Sequence, residues 1–140
     1  MEAGGSVISG LPHPEALAVP RGILEKIVPR GDLEEAGALL GTVSGGEAVV
    51  SEAVPLAWGV GGFRVDPVKW MRTVLDGEER GLEYIGMYHT HIRGRARPSP
   101  LDVRYMMECP GEVWLIVTPE EARAWVWGGS GLTEVLLRVL

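Results

Sequence analysis

The chain has 140 residues, 46% of them hydrophobic, a net charge of −6 and one cysteine, Cys109. That length fits one compact domain able to bury about two-thirds of its unfolded surface, so no covalent staple is needed. A lone cysteine excludes an internal disulfide framework and fits a reducing compartment, the acidic balance argues against general nucleic-acid binding, and no run is long and apolar enough to cross a membrane.

The opening "MEAGGSVISGLPHPEA" carries an acidic residue where a secretion signal would be basic, which points to a cytoplasmic protein. Residues 1–18 read as a Gly-rich arm or an edge strand ahead of a domain over 19–140, with His13 in an exposed loop. "PRGILEKIV", from Pro20 to Val28, predicts a short helix opened by proline, and "PRGD" a turn. "AGALLGTV" from Ala36 and "EAVVSEAVPLA" ending near Pro55 predict a hairpin about the turn "SGGE". "GVGGF" reads as a loop. Asp66 before Pro67 signals a helix start, and Val68, Met71, Val74 and Leu75 recur at helical spacing up to about Gly81. "LEYIGMYHTH" predicts a strand and "SPLDVRYMMEC" a helix. "EVWLIVTP" and "ARAWVWGG" predict strands, and "LTEVLLRVL" a last strand or short helix. Strands and helices mix without strict alternation, so the expected class is α+β, a single domain with a central mixed curved sheet flanked by helices.

The sequence contains no Asn and no Gln, and its only lysines are Lys26 and Lys69. Loss of labile amides is a thermophile trait, and a GC-rich genome would produce a similar bias.

Two of the three histidines, His89 and His91, sit two apart in a predicted strand. Side chains on a strand alternate, so both imidazoles face one way and can reach one ion. The competing reading is a pair of polar residues on a solvated face. Ser99-Pro100 opens a predicted helix with Asp102 in its first turn. Helix capping explains that pattern completely, yet the carboxylate can also serve as a ligand if the segment Ile92–Pro98 folds back. Two histidines and one carboxylate leave a fourth position open, the arrangement of a catalytic rather than a structural zinc site. The acidic pair Glu34-Glu35 precedes the apolar run and by position alone is an ordinary turn.

Together these residues resemble the JAMM (MPN-domain) metalloproteases. The family pattern is an upstream Glu, then His-x-His, seven residues, Ser, two residues, Asp. Here it is met by His89-Thr90-His91, Ile92–Pro98, Ser99, Pro100-Leu101 and Asp102. Upstream, Glu34, Gly37, Leu39 and Gly41 fit Glu-x-x-Gly-x-Leu-x-Gly, which selects Glu34 over Glu35. The resemblance runs from about Val19 to the C terminus and implies an MPN-type, cytidine deaminase-like architecture of the small prokaryotic kind.

The resemblance further implies one Zn2+ held by His89, His91 and Asp102, Glu34 as the general base, and Ser99 as the donor to the developing oxyanion. It implies hydrolysis of an amide or isopeptide bond, at the C-terminal tail of a ubiquitin-like or sulfur-carrier protein, and permits a homodimer. Two alternatives stand beside it: a non-catalytic MPN-type scaffold, and a zinc amidohydrolase acting on a small molecule. The family usually has Ser, Pro and Cys where this chain has Thr90, Ile92 and Ala36; Thr90 is expected to face away from the metal with little consequence. The chain lacks the long insertions by which eukaryotic deubiquitinating members grip two linked ubiquitins.

Arg93, Arg95 and Arg97 alternate beside this site, either as solvated arginines or as a patch for an acidic or C-terminal carboxylate group of the substrate. Trp125 and Trp127 share one strand face near Trp114, in the core or in an aromatic groove. A Cys–His hydrolase using Cys109 and His89 has no supporting motif.

Overall fold

The structure, a computed structural model, describes residues 13–29, 31–60 and 63–140. Most of the expected N-terminal arm, Arg30 of "PRGD" and two glycines of "GVGGF" therefore lie outside the described residues. Among those described, β1 (Ala16–Val19) leads to α1 (Arg21–Ile27), then to the hairpin β2 (Glu34–Ser44) and β3 (Glu47–Gly59). Next come α2 (Pro67–Glu79), β4 (Glu83–Thr90) and α3 (Pro100–Glu108), and last β5 (Val113–Val117), β6 (Ala122–Gly128) and β7 (Gly131–Val139). No helix among them is long and apolar enough to cross a membrane.

The sheet is mixed, as expected, but it closes. Its order is β1-β3-β2-β4-β5-β6-β7, and β1 pairs in parallel with both β3 and β7. A strand of four residues makes the closure, so the segment that reads as an arm or edge contributes a barrel stave. The remaining pairs are antiparallel except β4–β5.

Alternation along the strands sorts side chains into two clusters. Leu39, Tyr88, Leu115 and Val126 join Leu17 and Val19 on one face, with α1 packed there through Ile23, Leu24 and Ile27. Ala38, Met87, Trp114, Ile116 and Trp125 take the other face, against Met106 of α3 and Trp70 of α2. His89 continues the Met87 face, and this places it beneath α3. The three tryptophans Trp114, Trp125 and Trp127 belong to this second cluster, so they pack a core rather than line a groove.

Two details depart from the sequence reading. β3 runs past Pro55 to Gly59, because β1 pairs only with Glu47–Val49 and, among the described residues, the far half of β3 has β2 alone as its strand neighbour. A proline there costs no ladder bond. A register shift at Ala36/Gly37 lets β2 and β3 continue in pairing to Glu34. On α2, Val68, Met71 and Leu75 are each about half exposed. The helix instead packs through Trp70 and buried Gly77, whose missing Cβ leaves room for Leu40. Asp66 caps this helix, its Oδ1 accepting from the Val68 N–H at 2.9 Å.

Candidate metal centre

The site forms where β2, β4 and α3 converge. α3 opens with a complete capping box. Ser99 Oγ accepts from the Asp102 N–H at 3.1 Å, and Asp102 Oδ2 accepts from the Ser99 N–H at 2.9 Å. This satisfies two backbone donors that a helix start otherwise leaves orphaned. It also locks the Asp102 carboxylate in place, with its other lone pairs turned to β4.

There the carboxylate meets both histidines. Asp102 Oδ1 lies 3.0 Å from His89 Nδ1, and Oδ2 lies 3.2 Å from His91 Nε2. The imidazoles stand 4.6 Å apart, edge to face. His91 is one residue past the end of β4, held by its amide donating to the Val117 carbonyl at 2.8 Å. One nitrogen from each histidine and one Asp102 oxygen lie within 4.8 Å of one another. Burial pushes the Asp102 carboxyl up, but the hydrogen bonds to His89 and His91 outweigh it and hold it well below the usual range. The bond to Asp102 raises the His91 imidazole against the opposing effect of burial.

Glu34 comes from the first residue of β2. Its Oε1 lies 3.5 Å from His89 Nε2. That nitrogen is buried and has no hydrogen-bond partner among the described residues. An orphaned imidazole nitrogen, facing a carboxylate and beside a second His–Asp pair, is the donor set a divalent zinc ion takes. The residues therefore fit the metal. Glu35 points to the opposite face, where its carboxylate accepts from Trp58 Nε1 at 3.1 Å and from the Tyr88 hydroxyl. The strand alternation thus separates the two glutamates as the motif frame does. Gly37 is required here, since a Cβ would collide with the Val54 carbonyl and the Tyr88 ring.

These groups line a cavity of about 310 Å³ together with Phe63, Leu101, Tyr105 and Arg93. Phe63 packs edge-on against His89, ring centres 4.3 Å apart. Sequence reasoning left Phe63, Leu101 and Tyr105 unassigned, because apolar walls carry no polar signature. Of the three loop arginines, only Arg93 reaches the cavity. Arg95 pairs with Glu121 at 2.9 Å, and Arg97 lies over the Trp125 ring at 5.3 Å. The loop itself is pinned. Glu121 accepts from the Ala96 N–H at 2.7 Å, and Trp125 Nε1 donates to the Ala96 carbonyl at 2.9 Å. Cys109 caps the other end of α3, about 15 Å along the helix from Ser99. Burial and Glu112 push its thiol up to about 11. Both facts leave a Cys109–His89 hydrolase without support.

Comparison with known proteins places the chain in a family and a fold. The model of a family described as prokaryotic homologs of the JAB domain matches residues 17–128. A desampylase of Pyrococcus furiosus is 34% identical over 65 residues, covering 46% of this chain and 46% of that protein. The match thus spans less than half the length of that relative. Two solution structures share the fold. A Desulfitobacterium hafniense protein superposes with a TM-score of 0.72 at 22% identity, over 89% of this chain and 92% of its own. A Salinibacter ruber protein gives 0.63 at 24% identity, over 86% and 90%. With the family pattern extending from β1 through β6, the chain belongs to the prokaryotic JAB-domain homologs, the small prokaryotic branch of the JAMM (MPN-domain) family.

Proposed function

We propose that the protein is a zinc-dependent metallopeptidase that hydrolyses an amide or isopeptide bond at the C-terminal tail of a ubiquitin-like or sulfur-carrier protein. The observation that carries this reading is the buried, unpartnered His89 Nε2 facing Glu34 across 3.5 Å, beside the His91–Asp102 pair. The similarity to a desampylase supports a ubiquitin-like substrate.

His89, His91 and Asp102 would hold the zinc. When bound, it acidifies water towards neutral pH and polarises the scissile carbonyl. Glu34 is mostly buried, with 17% of its side chain exposed, and faces the same space. Its carboxylate takes the proton of the attacking water and delivers it to the leaving amine. Ser99 spends one lone pair on the helix cap, which leaves its hydroxyl proton free for the oxyanion. The Phe63 ring shields one edge of His89 and keeps water from it. Arg93 is exposed at the rim, where a cation attracts a substrate carboxylate. Leu101 and Tyr105 are 54% and 48% exposed, so the walls open to the surface and suit a polypeptide tail more than an enclosed small molecule.

Metal analysis and one substitution test the reading. The purified protein is expected to take up one zinc per chain and to cleave ubiquitin-like fusions in preference to small amides. Glu34→Gln is expected to keep the zinc and lose about 10²- to 10⁴-fold in turnover. Full activity in Glu34→Gln would sink the assignment of the base. A chain that binds zinc and cleaves no fusion would favour a binding module instead.

A further inference from the structure

The face of the β2–β4 pair turned away from the cavity carries a second hydrogen-bonded cluster, centred on Glu35. We infer that Glu35 is a positioning residue, which fixes the base and the first histidine relative to each other through the far side of the sheet. The inference rests on the metallopeptidase reading above and adds a residue to it.

The geometry is specific. The Glu35 N–H donates to Thr90 Oγ1 at 2.8 Å, and the Thr90 hydroxyl lies 3.5 Å from the Glu35 carbonyl oxygen. The Tyr88 hydroxyl donates to one oxygen of the Glu35 carboxylate, and Trp58 Nε1 donates to the other. Tyr88 and Thr90 are fully buried. They are also the two residues that flank His89. Both chain neighbours of the first candidate ligand are therefore tied to one residue, and the chain neighbour of that residue is Glu34. In the ladder itself His89 pairs with Ala36, so the contact between base and histidine is framed on both sides. Thr90 is accordingly far from idle, although it faces away from the cavity. Its hydroxyl is what holds β2 to β4 at this point.

A ligand held by such outer contacts pays less to adopt its binding geometry, and removing them typically costs 10–100-fold in metal affinity. A purely structural role for Glu35 would lower stability and leave affinity alone. The two are separated by titrating zinc into the metal-free full-length chain against a chromogenic chelator at near-neutral pH, with thermal melts alongside. Glu35→Ala is expected to weaken zinc binding about tenfold, and Tyr88→Phe by a similar factor. The double variant is expected to bind no more weakly than Glu35→Ala, because the Tyr88 contact is already lost in Glu35→Ala. Glu35→Gln keeps an acceptor for Tyr88 and is expected to recover most of the loss. Trp58→Phe, at a half-exposed position, removes only the outer hydrogen bond and is expected to show a smaller drop.

Wild-type affinity in Glu35→Ala and Tyr88→Phe overturns the inference, whatever their melting temperatures, and so do losses that simply add. Should Glu35→Ala fail to fold, Tyr88→Phe, Trp58→Phe and Glu35→Gln decide the matter. A wild-type chain that binds zinc but cleaves no substrate defeats the peptidase reading, and the affinities still judge Glu35. A wild-type chain that takes up no zinc defeats both.

Discussion

Two carboxylic acids, the buried Asp102 in the first turn of α3 and the partly buried Glu112 just past its C-terminal cap, are treated in opposite ways. At the N terminus, two imidazoles outweigh the burial of Asp102 and keep it ionised. At the C terminus, burial raises the Glu112 carboxyl, and the hydrogen bond from the Tyr84 hydroxyl only partly offsets it. Burial is common to both, so it does not decide the direction of the shift. The presence of a cationic or cation-capable partner does. One end is therefore built to keep a negative charge ready for a cation, while at the other burial raises the carboxyl above its ordinary range.

The largest expected contrast comes from removing each acid. Asp102→Ala takes away a candidate ligand and half of the capping box. Zinc affinity is expected to fall by more than about 100-fold, beyond what outer contacts cost, and hydrolysis should drop to background. Glu112→Gln should change neither, and an equal loss in both variants would erase the distinction between the ends. Next, Ser99→Ala removes the cap acceptor and the proposed oxyanion donor together. It is expected to lower stability by about 1 kcal/mol in melts and turnover by about 10²-fold with zinc retained.

The pH response sharpens the comparison further. In the metal-free protein, stability from Asp102 is fully present above its ordinary value of 3.8 and is lost as pH falls through the depressed native value. Stability from His91 is fully present below its ordinary 6.5 and is lost as pH rises through the raised native value. This pair therefore favours the band between about 4 and 6.5. Glu112 adds stability that is fully present below 4.5 and declines above it. Melting curves of metal-free protein across this range should show Glu112→Gln abolishing the decline that begins near pH 4.5 and leaving the His91 decline in place. Cys109→Ser is expected to have the smallest effect. The residue as a whole is exposed, so melting should shift by less than about 0.5 kcal/mol, and alkylation of the wild-type thiol, raised by partial burial, should be slow at pH 7.

Much of the candidate site was legible because its logic is local. The Ser99–Asp102 spacing is a capping box before it is anything else, and a cap can be read from four residues. The His89–His91 spacing rests on strand alternation, which also sends Glu34 and Glu35 to opposite faces. What escaped the sequence was non-local. Closure of the barrel depends on parallel pairing of Ala16–Val19 with strands about 30 and 120 residues further on, beyond any local pattern. The roles of Glu121 and Trp125 in holding the arginine loop arise from side chains 25 and 29 positions away. On α2 the apolar spacing identified a helix but not its packing contact, because a glycine against Leu40 contributes nothing to a hydrophobic pattern.

The one-sided pairing of β3 beyond Val49 has a consequence for self-association. A barrel has no free edges except where a stave outruns its neighbour, and among the described residues the far half of β3 does so. Such a row of open donors and acceptors is a template on which another chain can grow. Here Pro55 removes a donor from the middle of it, and Glu52 with Arg80 places a charge pair beside it. Helix α1 stands alongside, leaving a cleft of about 310 Å³ lined by Ile23, Lys26 and Ile27. The proline that seemed to end a strand in the sequence thus serves as a guard, letting the strand run long enough to reach Trp58 without offering its rim to aggregation.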